Sequence, residues 1–526
     1  MDNKYYTAIT IGPIIETLNS ARKTRELWGA SYLFSYIIRK IVGKLKENNI
    51  QVILPYYEND IEWINSYGAG LFPDRIFLSG QVDINIYFDE VISEISKEIE
   101  KWFATQSKIN RKLKVNEIQP YFISYFRFIQ VHFECDTSEN IIDKGSTLLD
   151  SKELKTKIIP VDNYIGKENP LLYFLYHING CFLFDEGFKN TKSRFPSLIE
   201  IALKEFDQRQ EFGQLEHKIE QDQERFSDLE FEKQQGKNDN DILEFVTSIF
   251  QNEVNPSHKY IAIVQADGDN IGSMIAKIGS VVQDIQKFSQ KLLEYSQKAT
   301  EIVIRYGGSP IYMGGDDLFF IAPITYHADN NKTHILDMIK ELDDDFNSRI
   351  KLYAESELGI TEKLPSLSFG ISFSYYKFPL YEAKSMTLKA LFEDIKWADK
   401  KNAIKIKFRK HSGQTLELFL QKANLLLWES TLDFISNNLL LDANFINSFT
   451  HKLRLQETVL FDNIAGDDDK LLYFFKNNFN ENYAQQITYF ESLQNFIKII
   501  HNTVIINKDK PAYLYTVLRY IHFLRS

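Results

Sequence analysis

Apolar residues in the second half of the chain recur in short runs, with glycine or charged residues between them. Runs rich in Val, Ile and Phe, each short enough for one strand, cover residues 260–266, 309–313, 318–322 and 366–373. Segments with apolar residues every three or four positions separate these runs and predict helices at 273–305, 331–354 and 386–399, before a final strand at 403–409. The order β-α-β-β-α-β is that of a ferredoxin-like unit.

The N-terminal part of the chain repeats this order. Strands are predicted at residues 5–11, 51–55, 75–79 and 121–133, and amphipathic helices at 14–48 and 89–114. Two copies of one topology suggest a duplicated pair with a shared interface, and ligands often bind between such domains. A Gly-Gly-Asp-Asp turn occurs only in the second copy, so the first copy is expected to be inactive.

The remaining segments are predicted to be helical. The charge- and glutamine-rich run 205–241 is either a solvated helix or a flexible connection. Residues 414–526 combine Leu and Phe at helical spacing with few glycines, which predicts a helical bundle. We therefore predict an α+β fold with two ferredoxin-like βαββαβ domains, a helical insert and a C-terminal helical bundle. The predicted boundaries are 1–135, 136–255, 256–412 and 413–526, in that order.

Composition narrows the class of protein. At 526 residues, length alone suggests three or four domains. The net charge of −11 argues against binding nucleic acid with the whole surface, although it leaves room for a local basic groove. Cys135 and Cys181 form no CxxC pattern, so a reducing compartment is the default. With no signal-peptide layout and no apolar run of membrane-span length, we expect a soluble cytoplasmic protein.

Acidic residues lie at a turn of the second unit. Gly314-Gly315-Asp316-Asp317 separates two apolar runs, which predicts a β-hairpin with the acids at its tip. Gly314 and Gly315 permit a tight turn, because glycine accepts positive φ, and they leave the backbone open to a ligand. Two adjacent carboxylates repel each other, and a divalent metal would relieve that repulsion. Alone, however, such a sequence is often only a solvated turn.

A second acidic element lies upstream. The predicted strand 260–266 runs into Asp267-Gly268-Asp269, followed by a turn and a helix. If the two elements lie on adjacent antiparallel strands, Asp267 and Asp316 converge with either Asp317 or Asp269. The expected result is a two-metal nucleotidyl-transfer site. Asp-Gly alone is ordinary turn chemistry, so the prediction depends on both elements ending an apolar strand.

Phosphate contacts are predicted beside these acids. The turn through Gly272 and Ser273 would present backbone N–H groups to an anion at a helix N-terminus. Lys396 and Lys401, at the end of a predicted helix, offer cations that would offset phosphoryl charge. The alternative for both lysines is a solvated helix C-terminus, which the helix dipole favours.

A group of basic residues lies in the early turns of the first predicted helix. It consists of Arg22, Lys23 and Arg25. Its spacing favours a solvated helix face, and the alternative is contact with a phosphate backbone or an acidic partner.

These motifs resemble those of a known family. Residues 266–272 and 314–317 are similar to the second palm domain of the large, polymerase-like subunit of type III CRISPR RNA-guided effector complexes, in its III-B (Cmr) form. Stretches that resemble other parts of that subunit follow in the family's order, at residues 12–33, 194–202, 368–380 and 401–413. Each motif is modest, but their order over about residues 5–415 makes the set specific.

The resemblance implies an antiviral function. Such subunits, assembled with other subunits, guide RNA and target RNA, convert ATP into a nucleotide second messenger, here cyclic oligoadenylate or AMP joined to S-adenosylmethionine. Mg²⁺ or Mn²⁺ would be held by Asp267, the Gly268 carbonyl, Asp316 and Asp317, and the three acids would be catalytic. One metal would lower the pKa of an attacking ribose hydroxyl, and both would stabilise the pentavalent phosphate. The implied nucleotide contacts are Gly268, Asp269, Gly272, Ser273, Gly314, Gly315, Lys396 and Lys401.

Two departures from the family bear on activity. Many members begin with an HD nuclease, whereas this chain starts at its first predicted strand and none of its ten histidines precedes Asp, so we expect no DNase activity. Many members also carry a cysteine zinc site, of which only Cys181 has a counterpart here, so we expect no zinc. Two other functions stay open: a catalytically silent scaffold subunit of the same complex, and a stand-alone GGDEF-like nucleotide cyclase.

Overall fold

The structure, a computed structural model, confirms the predicted α+β fold. It describes residues 4–57, 68–136, 139–155, 169–188, 194–207, 209–225, 245–246, 248–250, 254, 256–279, 281–328, 331–410, 413–439, 443–479, 486–506 and 509–525. Much of the charged run predicted over 205–241 lies outside these residues, and its described part is helical. The four domain boundaries stay predictions.

The first domain is built on four strands: β1 (Lys4–Gly12), β2 (Val52–Leu54), β3 (Arg75–Ser79) and β4 (Arg127–Cys135). They form an antiparallel sheet in the order β2-β3-β1-β4. The connecting helices are α1 (Ile14–Ser20), α2 (Thr24–Glu47), α3 (Asn85–Thr105) and α4 (Val115–Tyr125). This strand order confirms the ferredoxin-like unit.

One predicted helix of this domain is broken in two. The helix predicted over residues 14–48 stops at Ser20 and restarts at Thr24. The Glu26 carboxylate accepts backbone N–H bonds from Arg22 (2.8 Å) and Lys23 (3.3 Å), which satisfies donors that an uninterrupted helix would have bonded internally.

One predicted strand begins later than its sequence suggests. The strand predicted over residues 121–133 was wrong at its start, because Tyr121 and Phe122 belong to α4. Aromatic side chains favour strands on average. With the buried Ile118, however, these two residues form a helically spaced face that packs into the core.

The helical insert and the second domain follow. The insert contains α5 (Ile141–Lys155), α6 (Pro170–Tyr176), α7 (Phe182–Phe188), α8 (Leu198–Ala202) and α9 (Gln210–Arg225). The strands of the second domain are β5 (Tyr260–Asp269), β6 (Ser309–Gly314), β7 (Asp317–Pro323), β8 (Thr325–Ala328), β9 (Asn331–His334), β10 (Ser366–Tyr375), β11 (Ala403–Arg409) and β12 (Thr415–Gln421). Its helices are α10 (Ile271–Ile278), α11 (Val282–Arg305), α12 (Ile335–Phe346), α13 (Leu352–Ser356) and α14 (Leu380–Leu388), and Asn347–Lys351 and Lys389–Lys396 are π-helical.

The second sheet repeats the topology of the first and extends it. Its order is β12-β11-β10-β5-β7-β6, so β6-β7-β5-β10 reproduces the ferredoxin-like arrangement. Strand β11 is parallel to β10, and β12 is antiparallel to β11. The prediction that residues from 414 onwards are all helical was wrong for β12, which pairs antiparallel with the preceding strand β11 at the edge of the sheet. The helix predicted from residue 331 likewise begins only after the hairpin β8–β9.

The C-terminal region is helical after β12, as predicted. It contains α15 (Leu425–Asn437), α16 (Ala443–Arg454), α17 (Glu457–Val459), a π-helical turn at Leu460–Ile464, α18 (Asp468–Asn478), α19 (Ile487–Thr503) and α20 (Asp509–Arg525). Across the described ranges, no helix is both long and apolar enough to cross a membrane.

The two ferredoxin-like domains contact each other through backbone atoms. Gly70 of the first domain lies beside β6, where its carbonyl accepts a hydrogen bond from the Met313 N–H (2.8 Å) and its N–H donates to the Ile311 carbonyl (3.4 Å). A side chain at Gly70 would come within 3.2–3.3 Å of Ser31 and Tyr312. The predicted shared interface is therefore present, and it lies directly against the hairpin that carries Asp316 and Asp317.

Gly370 of β10 is packed against helix backbone, which makes a larger residue costly. A Cβ atom there would lie 2.5 Å from the Thr387 carbonyl oxygen and 2.7 Å from the Leu391 amide nitrogen. We expect Gly370→Ala to lower the free energy of unfolding by about 1–3 kcal/mol, measured by chemical denaturation. Gly213→Ala in α9 is the control, since nothing lies near its Cβ and alanine favours helix by up to about 1 kcal/mol. Equal stability of the two variants would contradict the packing argument.

Lys384 of α14 contacts the first domain, and its burial predicts that the stability of the folded chain depends on pH. Its ammonium donates to the Leu18 carbonyl in α1 (2.7 Å), and burial lowers the pKa of Lys384 to about 8. Between about pH 8 and 10.4, the unfolded chain holds a proton that the folded chain has lost, so this lysine's contribution to stability rises with pH. We expect the stability of the natural protein to rise across this window relative to that of Lys384→Met, in urea denaturation at pH 7.5 and 10. An unchanged difference would contradict this, and the exposed Lys389→Met serves as control.

Candidate active site

The predicted acidic hairpin is present at the end of β6 and β7. Gly314 pairs with Asp317, so Gly315 and Asp316 form a two-residue turn. Gly315 has a φ of 69° and donates its N–H to Ser296 Oγ of α11 at 2.8 Å. Gly314 does not adopt a positive φ; it is a glycine position because the Tyr312 hydroxyl lies where its side chain would be.

Strand β5 brings the upstream acid to the same edge. Ala266 pairs with Leu318 of β7, so Asp267 comes opposite Asp317, and the two carboxyl groups share a hydrogen bond. The Gly268 N–H donates to the Asp316 carboxylate. A Cβ at Gly268 would collide with that carboxylate. The structure therefore brings Asp267, Asp316 and Asp317 together, as the adjacent-strand hypothesis requires.

Burial and neighbouring carboxylates raise the pKa of two of these acids, Asp316 and Asp317. Burial and then repulsion by Asp267 raise the pKa of Asp316 to about 6, although the Lys396 ammonium opposes the shift. Burial, Asp316 and Asp267 raise the pKa of Asp317 well above its usual range. Asp317 lies at the start of β7 and is partly open to solvent. Uncompensated negative charge of this kind is what a bound cation would stabilise.

Lys396 lies within the acidic cluster. It is the last residue of the π-helical segment Lys389–Lys396, and its side chain is 11% exposed. Its ammonium contacts the Asp267 carboxylate and Asp269 Oδ1 (2.7 Å), and it donates to the carbonyl oxygens of Asp267 (2.9 Å) and Gly268 (3.0 Å). Lys396 was predicted either to contact phosphates or to lie at a solvated helix end. Its enclosed side chain does not fit the solvated helix end.

Asp269 points away from the other acids into a buried polar cradle. Its Oδ2 accepts hydrogen bonds from Ser366 Oγ (2.9 Å), Ser368 Oγ (2.7 Å) and the Asn402 N–H (2.9 Å), and its Oδ1 accepts from Lys396. Asp269 is 1% exposed. In this structure it acts on the site through Lys396, whereas its direct contact with a nucleotide stays a prediction.

The remaining predicted site residues surround the acids at greater distance. Gly272 and Ser273 are exposed in the first turn of α10, which follows Asn270 in a left-handed conformation with a φ of 61°. Lys401 lies beyond Lys396, and its carbonyl accepts from Gln421 Nε2 at 2.8 Å. No contact that the structure describes joins the Lys401 side chain to the three acids. Phosphate binding by these residues stays a prediction.

The basic group at the start of α2 is used for packing. The Lys23 ammonium lies 4.1 Å from the centroid of the Tyr176 ring, and Arg25 Nε donates to the Tyr176 carbonyl at 2.9 Å. These contacts join α2 to α6 and satisfy cation–π geometry. The solvated helix face favoured by the spacing is therefore wrong for Lys23 and Arg25, whereas Arg22 is exposed.

Sequence patterns missed several residues that shape the site. The serines of the Asp269 cradle alternate along β10, so their shared face was a detectable signal. Asp74 of the first domain raises the pKa values of Asp317 and Tyr312, which places its carboxylate near the hairpin. Nothing in the local sequence around Asp74 predicts this, because the approach depends on how the domains pack.

The donor set suits a hard divalent cation. Carboxylates and a backbone carbonyl are the ligand types that Mg²⁺ and Mn²⁺ prefer, and the raised carboxyl pKa values reflect charge that such an ion would neutralise. Among the described residues, no three His, Cys, Asp or Glu side chains already converge in a metal-holding arrangement. The Lys396 ammonium contacts oxygens that a metal ion would need, so an ion can bind to those oxygens only if Lys396 moves.

Comparison with known proteins identifies both ferredoxin-like domains. Residues 6–109 match the N-terminal domain of the CRISPR-associated protein Cmr2, and residues 260–405 match the second palm domain of Cas10/Cmr2. The chain resembles the apo state of a type III-B Cmr-beta complex at 13% identity and a TM-score of 0.43, covering 80% of this chain and 70% of that one. A Csm1–Csm4 cassette in complex with cA4 gives 12% identity and a TM-score of 0.45, with 100% and 70% coverage. A Csm1–Csm4 cassette in complex with AMPPNP gives 11% identity and a TM-score of 0.46, covering 94% of this chain and 69% of that one.

The two family matches cover the candidate site and most of the first sheet. No curated protein matches the chain. The second-palm match nevertheless spans Asp267, the acidic hairpin and Lys396, and the Cmr2 match spans most of the first sheet. Two domains of one family, in one chain and in the expected order, confirm the resemblance seen in the motifs. The chain therefore carries an N-terminal domain and a second palm domain of the Cas10/Cmr2 family.

Proposed function

We propose that this chain is the messenger-synthesising subunit of an RNA-guided type III CRISPR complex. Assembled with other subunits and guide RNA, it would use ATP and Mg²⁺ or Mn²⁺ to make a nucleotide second messenger once target RNA binds. Cyclic oligoadenylate is the expected product, and AMP joined to S-adenosylmethionine is the other. The observation that carries the proposal is the meeting of Asp267, Asp316 and Asp317 at adjacent strand ends, with Lys396 among them.

The chain's own residues would bind and orient the nucleotide. Asp267, Asp316, Asp317 and the Gly268 carbonyl would hold the divalent ions, which supply Lewis-acid activation of a ribose hydroxyl and neutralise phosphoryl charge. Lys396, already at the cluster, would carry positive charge towards the triphosphate. Gly272 and Ser273 would direct backbone N–H groups of α10 at the phosphates.

The test is product analysis with the reconstituted complex. Labelled ATP, guide RNA, matching target RNA and Mg²⁺ or Mn²⁺ would be incubated with and without S-adenosylmethionine, and products would be separated and weighed by mass spectrometry. Cyclic oligoadenylates would support the first product, and an adduct seen only with S-adenosylmethionine would support the second. Absence of any product in both conditions would favour the silent scaffold. Strong activity of the isolated chain on GTP would favour the stand-alone cyclase.

A further inference from the structure

The Lys396 ammonium is bound in the way that proteins bind a cation. Two carboxylates and two backbone carbonyls surround it: one oxygen each of Asp267 and Asp269, and the carbonyls of Asp267 (2.9 Å) and Gly268 (3.0 Å). An ammonium has three N–H donors, so these four oxygens exceed what it needs. With 11% of its side chain exposed, Lys396 is enclosed rather than lying on the surface.

The same oxygens are the ones a divalent ion would use. Asp267 and the Gly268 carbonyl belong to the proposed metal-binding set, and Mg²⁺ demands oxygen ligands at about 2.0–2.1 Å. An ammonium and a divalent ion cannot both occupy these oxygens, because their positive charges repel at such separations. Binding of the ion through Asp267 and Gly268 therefore requires Lys396 to move.

We propose that Lys396 is the resident cation of this acidic cluster, and that a divalent ion displaces its ammonium from Asp267 and Gly268 and so frees it for the nucleotide phosphates. This inference rests on the proposed function for its last step. The first step, competition between lysine and metal, concerns the chain alone.

Asp269 explains why the displaced ammonium would stay near the site. Its other oxygen is held by Ser366, Ser368 and the Asn402 N–H in a buried cradle, so this carboxylate does not follow the ammonium outward. The contact between Lys396 and Asp269 uses an oxygen that is not in the proposed metal-binding set. Lys396 can therefore keep its Asp269 contact while it leaves the other three oxygens.

The experiment measures bare Mn²⁺ binding by the purified full chain, without nucleotide or RNA, by electron paramagnetic resonance titration. Lys396→Met removes the competing charge and is expected to bind Mn²⁺ about tenfold more tightly, equivalent to about 1.4 kcal/mol. Lys389→Met, an exposed lysine of the same π-helical segment, is the matched control and should leave the affinity unchanged. Unchanged or weaker Mn²⁺ binding by Lys396→Met would overturn the proposal.

A second measurement separates competition from a structural role. Binding of AMPPNP with Mg²⁺ to the same chain is expected to weaken about tenfold in Lys396→Met, opposite in direction to the Mn²⁺ result. A lysine needed only for folding would weaken both. Lys396→Gln, which keeps polar contacts without the charge, should behave like Lys396→Met and provides the test if methionine unfolds the chain. Tighter Mn²⁺ binding by Lys396→Met, together with no messenger product from the complex that contains the natural chain, would uphold the competition and defeat only the proposed function.

Discussion

Asp316→Asn is expected to reduce ATP consumption by the target-bound complex by roughly 10²–10³-fold. The substitution keeps the shape of the side chain and removes its charge, so the two neighbouring carboxylates alone remain to hold a divalent ion. Losing one preorganised electrostatic contact at a reacting centre has effects of this size. The measurement is the initial rate of ATP consumption with saturating target RNA and Mg²⁺ or Mn²⁺. Asp317→Asn and Asp267→Asn should show the same loss.

The control removes a carboxylate elsewhere. Asp469 is exposed in the first turn of α18, in the C-terminal region, and Asp469→Ala should leave the rate within experimental error. Full ATP consumption by a complex carrying both Asp316→Ala and Asp317→Ala would contradict the proposed site. Such a result would make the chain a scaffold with a palm fold.

Asp343→Ala is expected to destabilise the folded chain by about 3–5 kcal/mol. Asp343 of α12 pairs with the Lys422 ammonium, and their side chains are 9% and 2% exposed. Burial lowers the pKa of Lys422, whereas Asp343 opposes that shift. Removing the carboxylate leaves a buried charge without its partner, which costs far more than a surface ion pair contributes. The free energy of unfolding, from urea denaturation, is the measurement.

Two further variants test the cause of this loss. The double substitution Asp343→Leu with Lys422→Met replaces the pair by apolar groups and should recover most of the stability. Lys287→Met breaks the surface pair with Glu357, whose side chains are 48% and 44% exposed, and should cost less than about 1 kcal/mol. A double variant as unstable as Asp343→Ala would show that packing, rather than an unpaired charge, explains the effect.

Local patterns predicted most strands of both sheets. The runs at residues 260–266, 318–322 and 403–409 are apolar enough to be recognised without context, and each lies in a strand of the structure. Errors occurred where the packing of a segment, rather than its local pattern, set its secondary structure. Strand β12 pairs with β11, and α4 contains aromatic residues that average preferences assign to strands. Tertiary burial decided both cases.

The acids of the candidate site were also predictable, since a strand that ends in carboxylates and a hairpin with glycines both have local signals. Their surroundings were not. The cradle of Asp269 combines β10 with the loop before β11, and the position of Lys396 depends on a π-helical segment that no spacing rule anticipated. The approach of Asp74 to the hairpin depends on contact between two domains.

The amino-acid sequence by itself determined the repeated βαββαβ order, the hairpin and the two acidic elements, because hydrophobic periodicity and glycine conformation act over a few neighbouring residues. The tertiary structure decided which of four nearby aspartates face one another and which one is buried. It also decided that a lysine more than a hundred residues away would lie among them. Such contacts depend on how the strands and helices pack together, and packing is a property of the whole chain.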